Sequence, residues 1–544
     1  MTTESKPTGA QLVVDALVAA GVRHLFSLSG NQILSVYDAT IGSGLSIIHT
    51  RHEAAAVHMA DAWGRLTDEP GVALVTAAPG HLNAMSALYG ALTAESPVVL
   101  LSGHAPLGQA GRGAFQEMDQ VAAARPVTKA AWLARDAARL GDDVARALAI
   151  ARSGRPGPVH VSLPGDLLEA HVAISRAAAT PAEPETAPAP IADSAVRAIL
   201  GLLAEARRPL ILVGPAMGRP PRWARVERFG ALTGVPALVM ESPRGVNDPW
   251  LHLAAMRLSE ADVVLLLGKR LDFAVRFGEP PAFAADCRLV QIDGEPSALR
   301  PGGRVVTAVE ADPVAALDRL HEGAAAMTWR RHTWGEELLA ARRAEPADWR
   351  ALRRSPGRPM HPLRVCAALQ PLLDRGAILV ADGGEFGQWA QAGLEAEVRL
   401  INGLSGSIGS AVPLACAAKL ARPERDVVAV VGDGTFGFHA LELDTALRYG
   451  LPILTVVGND ARWNAEHQLQ IQHYGTARTV GCELRLSRYD RIAEALGGHG
   501  EFVEGPEDLE PAIARAVKSG LPACVNVAIG GVAAPTYRAT PPSH

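Results

Sequence analysis

Cysteine is scarce in this sequence, and the few that occur form no motif. Only 5 are present among 544 residues. They are Cys287, Cys366, Cys416, Cys482 and Cys524, and no two of them form a C-x-x-C pair. This scatter indicates neither a disulfide framework nor a zinc cluster. We therefore expect the protein to reside in a reducing compartment.

Long apolar runs are also absent. None reaches the ~18 residues that a membrane-spanning helix needs. The first ten residues, MTTESKPTGA, lack the cationic start and apolar stretch of a secretory signal. The sequence therefore predicts a cytoplasmic protein without a membrane partner.

The chain has no excess of positive charge. It contains 52 Lys and Arg against 57 Asp and Glu, which gives a formal net charge of -5. No broad basic field is available to hold nucleic acid or an anionic membrane. A small molecule is the expected partner.

Short apolar runs and turn residues are abundant instead. Hydrophobic residues make up 48% of the chain, with 53 Gly and 39 Pro. Runs of Val, Ile and Leu, such as those beginning at Val72, Pro209 and Asp426, end in Gly, Ser, Asp or Asn. Such runs are typical of strands buried on both faces of a parallel sheet. Segments with helical spacing separate them, as after Ala137 and before Gly520, which predicts a doubly wound α/β fold.

Two polar stretches divide the chain. The first, from Ile174 to about Asp193, is rich in Ala, Pro and Glu and has no apolar periodicity, as in an extended linker. The second is Arg- and Pro-rich and spans roughly Ala341 to Pro362. A chain of this length exceeds the roughly 250 to 300 residues at which one core stops growing. We predict three doubly wound parallel-sheet domains, at residues 1–173, 194–340 and 360–535.

Ligands of open α/β sheets bind at the carboxyl ends of strands, so the polar residues there are the first candidates. Gly432, Asp433, Gly434 and Thr435 follow the run DVVAVV, and Asn459 ends the next strand. Backbone amides in such a turn suit phosphate oxygens, and the carboxylate suits a divalent cation that bridges to them. The alternative is a turn whose Asp only caps the following helix.

A second candidate is Glu53, in the segment RHEAAA that opens a helix near the N-terminus. A carboxylate in the first turn is favoured by the helix dipole, so a purely structural role is the alternative. A helical zinc site is excluded because His58 lies six residues after His52 instead of four.

Glycine-rich turns at residues 76–83 and 403–409 are the third candidate. The glycines of the second turn stand at 403, 406 and 409, which is not a G-x-G-x-x-G pattern. No GxxxxGK[ST] segment occurs either. An ordinary hydride-transfer or kinase site is therefore disfavoured.

Taken together, these segments resemble the thiamine diphosphate-dependent enzymes. GDG followed after about two dozen residues by Asn (Gly432 to Asp460) is similar to the family's thiamine diphosphate and magnesium signature, and RHEAAA to its activating-glutamate segment. The segments VTAAPGHLNA, AFQEMDQ, GRPGPVHVSLP and NGLSGSIGSAVP resemble acetolactate synthases, 2-hydroxyacyl-CoA lyases and oxalyl-CoA decarboxylases. The resemblance implies an N-terminal pyrimidine-binding domain and a C-terminal diphosphate-binding domain. It also implies a homodimer or homotetramer with active sites between chains.

The resemblance implies roles for individual residues. Glu53 would hydrogen-bond to N1′ of the pyrimidine and act as the catalytic residue. Ile408 would fold the cofactor, and the Gly406 carbonyl would accept from its amino group. Further cofactor contacts are implied for Pro79, Gly80, Asn83, Gly432, Gly434 and Thr435.

The implied metal is Mg²⁺, held by Asp433, Asn459 and the Ala461 carbonyl. Where the family has paired asparagines, this sequence has Gly458 and Asn459. The retained Asn459 is the one expected to bind the metal, so we expect cofactor binding to survive.

The acyl donor is less well defined. Phe115 and Gln116 resemble acetolactate synthases and hydroxyacyl-CoA lyases, whereas the segment Gly268 to Phe283 is more similar to the acyl-CoA lyase branch. A packing role for Trp463 is equally open. The positions implied to face substrate are Asn31, Phe115, Gln116, Trp463 and Asn464.

The implied function is that of a thiamine diphosphate- and Mg²⁺-dependent lyase or transferase (carboligase). It would act on a 2-oxo acid or a 2-hydroxyacyl-CoA through a carbanion/enamine, in an acetolactate synthase-like or a 2-hydroxyacyl-CoA lyase-like reaction. A flavin-dependent 2-oxo acid oxidase and a simple 2-oxo acid decarboxylase of the same fold are the alternatives. FAD or ADP in the middle domain is open, because no motif decides it.

Overall fold

A computed structural model of the chain describes residues 6–173, 190–330 and 333–537. Most of the predicted linker, at residues 174–189, lies outside the described residues. The described strands form three sheets of six, five and six strands, and neighbouring strands in all three are parallel. The chain therefore has the predicted α/β fold with three parallel-sheet domains.

The N-terminal domain alternates strands and helices. In chain order its elements are α1 (Gly9–Ala19), β1 (His24–Ser27), α2 (Leu34–Ala39), β2 (Ser46–His49), α3 (Glu53–Thr67), β3 (Gly71–Val75), α4 (Pro79–Thr93), β4 (Val98–His104), α5 (Gln120–Ala124), β5 (Ala130–Leu133), α6 (Leu140–Arg152), β6 (Val159–Pro164) and α7 (Gly165–Glu169). The strand order is β2-β1-β3-β4-β6-β5. Every residue of β3 and β4 is buried, because helices cover both faces of the sheet. Two helices, α3 and α4, begin where β2 and β3 end.

The middle domain contains a smaller sheet of the same kind. Its elements are α8 (Asp193–Glu205), β7 (Pro209–Val213), α9 (Arg222–Thr233), β8 (Ala237–Val239), α10 (Ala254–Arg257), β9 (Val263–Leu267), β10 (Arg288–Asp293), β11 (Val305–Glu310) and α11 (Pro313–Ala325). The strand order is β11-β10-β9-β7-β8, with the direction of winding reversing between β9 and β7. Two helices, α12 (Trp334–Arg343) and α13 (Trp349–Leu352), lead on to the C-terminal domain.

The C-terminal domain repeats the six-stranded arrangement. Its elements are α14 (Pro362–Leu373), β12 (Ile378–Asp382), α15 (Gly384–Gly393), β13 (Arg399–Ile401), α16 (Ala411–Ala421), β14 (Val427–Gly432), α17 (Asp433–His439), α18 (Glu442–Arg448), β15 (Leu454–Asn459), α19 (Asn464–Tyr474), α20 (Asp490–Leu496), β16 (His499–Val503), α21 (Pro506–Lys518) and β17 (Ala523–Ala528). The strand order is β13-β12-β14-β15-β17-β16. The ends of β12, β14 and β15 therefore lie side by side.

One hydrophobic core joins the N- and C-terminal domains. The helices α3 and α16 pack against each other, and both are rich in buried alanine. Ala56 and Ala60 of α3 belong to the same buried cluster as Ala415 and Ala418 of α16. Small side chains let the two helix backbones approach closely. This packing fixes the N-terminal end of α3 relative to the C-terminal sheet.

None of the described helices is both long enough and apolar enough to cross a bilayer. All five cysteines are free thiols and lie buried in the domains.

Candidate functional site

Glu53 is the first residue of α3 and lies at the carboxyl edge of the N-terminal sheet. Only 8% of its surface is exposed. The ring of His52 caps the helix, with Nδ1 accepting from the Ala54 N–H at 3.1 Å. Asn83 donates from Nδ2 to Glu53 Oε2 at 3.0 Å. The carboxylate is thereby held in one orientation at the helix start.

The first turn of α4 approaches the same carboxylate. A Cβ atom at Gly80 would lie 3.2 Å from Glu53 Oε1 and 2.7 Å from Thr76 Cγ2, so a larger residue would displace one of them. Pro79 precedes this glycine, and Asn83 follows one turn later. The structure thus brings the predicted residues Glu53, Pro79, Gly80 and Asn83 together.

Of the three predicted substrate residues in the N-terminal domain, Gln116 alone is linked by hydrogen bonds to the residues around Glu53. Its Oε1 accepts from Gln32 Nε2 at 2.9 Å, and Gln32 Oε1 accepts from Thr76 Oγ1 at 2.6 Å. Asn31 is exposed, and Phe115 is 71% exposed. Gln32 is a contact that the sequence analysis missed, since a polar residue beside Asn31 carries no separate signal.

The predicted phosphate- and metal-binding residues meet at the carboxyl edge of the C-terminal sheet, around one cavity. The turns after β12, β14 and β15 form its walls. Its lining includes the predicted residues Ile408, Gly432, Asp433, Gly434, Thr435, Trp463 and Asn464, together with Gly384, Glu385, Phe386, Gly458, Asp460, Arg462 and Glu466.

Asp433 is a buried carboxylate with an unsatisfied oxygen. It is 2% exposed, and its Oδ2 has no hydrogen-bond partner among the described residues. Burial raises the pKa of Asp433 to about 6, although backbone N–H groups of Gly434, Arg462 and Ala461 oppose the shift. Burial, and then the charge of Asp433, raises the pKa of Asp460 to about 7. The cavity therefore holds two carboxylates whose charged forms are disfavoured by burial.

These features fit a divalent cation. Mg²⁺ prefers oxygen ligands and is commonly bound by one or two carboxylates together with phosphates and water. Within the part of the chain that the structure describes, no three His, Cys, Asp or Glu side chains converge as a metal site. A cation at Asp433 would therefore take its other ligands from amide or carbonyl oxygens of the chain, from a phosphorylated ligand or from water.

The other two predicted metal ligands lie next to Asp433 but outside the cavity lining. Asn459 is fully buried, and its Oδ1 accepts from the Ala461 N–H at 3.2 Å. The Ala461 carbonyl accepts from the Leu484 N–H at 2.7 Å. Each of these oxygens retains a second lone pair for a cation.

Trp463 forms one wall of the cavity. A Cβ atom at Gly434 would lie 2.7 Å from Cε3 and Cζ3 of its ring, so the indole packs against the Gly434 backbone. The Phe438 ring meets it edge-on at 6.3 Å. Asn464 is 4% exposed, and its Oδ1 accepts from Gln468 Nε2 at 3.0 Å. Trp463 therefore both packs and lines the cavity.

Phe386 fills the space beside Gly458, the position at which the resemblance described above would place the first of two asparagines. A Cβ atom at Gly458 would lie 2.2 Å from Phe386 Cδ1 and 2.4 Å from Cγ. No side chain fits at this position while the ring stays in place.

We expect Gly458→Asn to destabilise the fold. Overpacking of this kind costs about 1–3 kcal/mol or more, measurable as a lower free energy of unfolding in urea. Phe386→Ala in the same chain should recover part of that loss. Losses that simply add in the double variant would contradict the proposed clash.

Asp382, which the sequence analysis did not select, organises the glycine-rich turn before α16. It is fully buried at the end of β12. Its Oδ2 accepts from the Gly409 N–H at 2.9 Å, from Ser410 Oγ at 3.1 Å and from the Ala411 N–H at 2.9 Å. These bonds fix the backbone next to Ile408. The available signal was the run AILVADGG, which ends at Asp382 on a strand adjacent to β14.

A separate cleft of about 100 Å³ lies at the carboxyl ends of the strands of the middle domain. Arg155 occupies it, paired with Glu95 and Asp293 and 3.6 Å from Glu295 Oε2. Small-molecule sites usually measure about 300–1,000 Å³. The cleft is smaller than such a site, and Arg155 is held inside it by its carboxylate partners.

Three family models match the chain. They are described as thiamine pyrophosphate enzyme, N-terminal TPP binding domain (residues 7–123), central domain (residues 196–320) and C-terminal TPP binding domain (residues 382–527).

Acetolactate synthases and 2-hydroxyacyl-CoA lyases are among the known proteins similar to the chain. It is 36% identical over 554 residues to acetolactate synthase large subunit IlvG of Mycobacterium tuberculosis, with 97% of each chain covered. It is 31% identical over 573 residues to 2-hydroxyacyl-CoA lyase 2 of Homo sapiens, with 96% of this chain and 90% of that protein covered. It is 29% identical over 551 residues to 2-hydroxyacyl-CoA lyase of Oryza sativa subsp. japonica, with 96% of each covered.

Proposed function

This chain belongs to the thiamine pyrophosphate enzyme family, and from that premise we propose a Mg²⁺-dependent lyase or carboligase acting on a 2-oxo acid or a 2-hydroxyacyl thioester. The family membership rests on matches to all three domains. The observation that carries the proposal is the buried, unpartnered Oδ2 of Asp433 in a cavity at the carboxyl ends of parallel strands.

Residues of this chain hold the two ends of the cofactor. When bound, thiamine diphosphate supplies a nucleophilic carbon and an electron sink for breaking or forming a carbon–carbon bond. Asp433, Asn459 and the Ala461 carbonyl would hold Mg²⁺. Glu53 holds a proton at N1′ of the pyrimidine, as general acid–base catalysis requires.

The remaining cofactor contacts are proposed for residues of the two glycine-rich turns and the GDG segment. Ile408 would pack against the cofactor, and the neighbouring Gly406 carbonyl would accept a hydrogen bond from its amino group. Backbone amides exposed by small residues suit phosphate oxygens. The residues assigned to these contacts are Pro79, Gly80, Asn83, Gly432, Gly434 and Thr435.

We place the complete site between two chains of a homodimer or homotetramer. Among the described residues, neither Glu53 nor its neighbours Gly80 and Asn83 line the cavity around Asp433 in the same chain. A second copy that presents its Glu53 face to this cavity would complete the site. Closed two-fold assemblies readily form paired sites of this kind.

Product analysis by mass spectrometry tests the proposed function. The purified chain, supplied with thiamine diphosphate and Mg²⁺, is incubated with pyruvate in one reaction and with a 2-hydroxyacyl-CoA in another. Acetolactate and CO₂ from the first, or an aldehyde and formyl-CoA from the second, would support a carboligase or a lyase. Failure to consume either donor, or a related 2-oxo acid, would contradict the proposal.

We expect Asp382→Ala to weaken thiamine diphosphate binding about tenfold to a hundredfold, as loss of an indirect support commonly does. Its carboxylate fixes the backbone next to Ile408, so the turn should loosen. Titration of the cofactor at saturating Mg²⁺ measures the change in Kd. Asp382→Asn keeps one acceptor oxygen, so its Kd should lie between those of the original chain and Asp382→Ala. An unchanged Kd in Asp382→Ala would contradict this role.

A further inference from the structure

A strained turn leads into α4, whose first turn approaches Glu53. Ala78, the residue before this helix, has φ 43° and ψ -93°. A residue with a Cβ atom rarely adopts a positive φ, and this ψ lies outside even the left-handed helical region. Strained backbone persists where the surrounding structure holds it in place, and it is concentrated at binding and catalytic sites. The contacts of Ala78 therefore bear on the geometry around Glu53.

The side chain of Gln120 holds this turn. Its Oε1 accepts from the Ala78 N–H at 2.8 Å, and its Nε2 donates to the Gly103 carbonyl at 3.0 Å and to Ser162 Oγ at 3.1 Å. A carbonyl oxygen can only accept, so the bond to Gly103 decides which end of the amide is the nitrogen. Gln120 is 1% exposed, and its three bonds leave the amide one orientation. The amide therefore ties the strained turn to β4 and β6.

The segment that carries Gln120 contacts the same turn at a second point. Gln116, four residues earlier, is linked to Thr76 by the hydrogen bonds described above. Thr76 Cγ2 lies 2.7 Å from the place that a Cβ atom of Gly80 would occupy. The segment AFQEMDQ, at residues 114–120, therefore supports the turn between Thr76 and Gly80 through both of its glutamines.

This turn sets the position of α4 relative to Glu53. Asn83 Nδ2 donates to Glu53 Oε2 at 3.0 Å, and a Cβ atom at Gly80 would lie 3.2 Å from Glu53 Oε1. Both contacts come from the first two turns of α4, directly after Ala78. A change in the backbone of Ala78 would move both of them, and the carboxylate would lose its fixed orientation.

We propose that Gln120 is a positioning residue: it holds Ala78 in the strained turn and thereby keeps the start of α4 against Glu53. This inference rests on the proposed role of Glu53 in the activation of the cofactor. Gln120 acts through the backbone, and it is not among the described residues that line the cavity around Asp433. Its hydrogen bond offsets part of the strain at Ala78. Glycine would need no such support at this position, because it adopts a positive φ without strain.

Removal of the Gln120 amide tests this assignment. Gln120→Met keeps the length of the side chain and loses its hydrogen bonds, so the turn should relax. We expect deuterium exchange at C2 of bound thiamine diphosphate, measured at saturating cofactor and Mg²⁺, to slow about tenfold, since small misplacements near the chemistry cost up to about 10²-fold. The Kd of the cofactor should change less, because the proposed diphosphate contacts lie in the C-terminal domain. Gln109→Met, at an exposed glutamine, is the matched control and should exchange at the original rate.

A second substitution separates positioning from a general loss of structure. Ala78→Gly, added to Gln120→Met, should recover most of the lost exchange rate, because glycine adopts the conformation of this turn without support. Ala84→Gly in the same background is the control. It lies inside α4, where glycine relieves no strain and disfavours the helix. Recovery by Ala78→Gly and not by Ala84→Gly would support the inference.

The apoprotein provides a readout that needs neither cofactor nor substrate. Ala78→Gly by itself should raise the urea concentration at the midpoint of unfolding, because it removes backbone strain, whereas Ala84→Gly should lower it. The strain at Ala78 is thereby measured independently of the proposed function. Exchange at C2 needs no acyl donor either, so a failure to consume any donor would refute the proposed function and leave this inference standing.

Three results would overturn the inference. The first is an unchanged exchange rate in Gln120→Met. The second is a loss that Ala78→Gly does not recover, or that Ala84→Gly recovers equally, which indicates a general structural role. The third is a midpoint of unfolding that Ala78→Gly does not raise, which removes the strain from the argument. If Gln120→Met does not fold, Ser162→Ala removes one acceptor of the Gln120 amide and should give a smaller loss that Ala78→Gly again recovers.

Discussion

Glu53→Gln is expected to slow deuterium exchange at C2 of bound thiamine diphosphate by about 10²–10⁴-fold, the range that a positioned acid–base group contributes. Glutamine has the same shape, and its side-chain oxygen can still accept from Asn83 Nδ2, which now bonds Glu53 at 3.0 Å. What it loses is the ability to share a proton with the pyrimidine nitrogen. Quenched-flow exchange followed by NMR of the extracted cofactor measures the rate.

Two further measurements keep this interpretation specific to Glu53. The variant should unfold at the same denaturant concentration as the original chain and bind the cofactor with a similar Kd, because only the proton-sharing atom has changed. Glu69→Gln, at an exposed glutamate away from the site, should exchange at the original rate. Exchange in Glu53→Gln as fast as in the original chain would refute the catalytic role.

Asp433→Ala is expected to abolish Mg²⁺-dependent retention of the cofactor. Loss of even an indirect metal support commonly costs 10- to 100-fold in affinity, and Asp433 is proposed as a direct ligand, so we expect a loss of at least about 100-fold. Trp463 lines the same cavity, so quenching of its fluorescence can report binding during a titration. The apoprotein should unfold no more easily, since the substitution removes a buried carboxylate oxygen that has no partner.

Asp460 supplies the matched control for the metal assignment. Its side chain also lines the cavity but is not a proposed ligand, so Asp460→Asn should retain Mg²⁺ and cofactor better than Asp433→Ala. Normal retention by Asp433→Ala in excess chelator would refute the assignment. Loss of retention in Asp460→Asn alone would transfer the metal role to Asp460.

Combining the two inactive variants tests whether the site lies between chains. When Glu53→Gln and Asp433→Ala chains are co-expressed, a mixed dimer carries both defects in one site and neither in the other. Random pairing should then restore about a quarter of the original activity. Sites formed within single chains would give no recovery.

The sequence by itself determined the fold class, because central strands of a parallel sheet are apolar on both faces. The runs that became β3, β9 and β14 are fully or almost fully buried, and all three were visible as uninterrupted apolar segments. The edge strands β5, β13 and β16 are short or partly exposed and carry no such pattern. Apolar runs in the sequence therefore predict the central strands of each sheet better than its edge strands.

Local propensity missed one helix beside the site. The sequence after the GDG turn predicts one helix, from Ala440 to Tyr449, and α18 occupies most of that span, whereas the separate helix α17, which begins at Asp433, was not predicted. Glycine disfavours helix by about 1 kcal/mol per residue, so the segment GDGTFG gives little local signal. Packing of Thr435 and Phe436, which are 4% and 1% exposed, stabilises the helix there.

The strand-end residues Glu53, Asp433 and Asn459 could be proposed from sequence as site residues because parallel strands place their polar ends at one edge. Only the tertiary structure decided which side chains meet there. Asp382 binds the backbone beside Ile408, and Phe386 occupies the space at Gly458, although neither pairing leaves a periodic pattern in the chain. Periodicity records which face of an element is buried, whereas the partner that covers it depends on packing between segments distant in sequence.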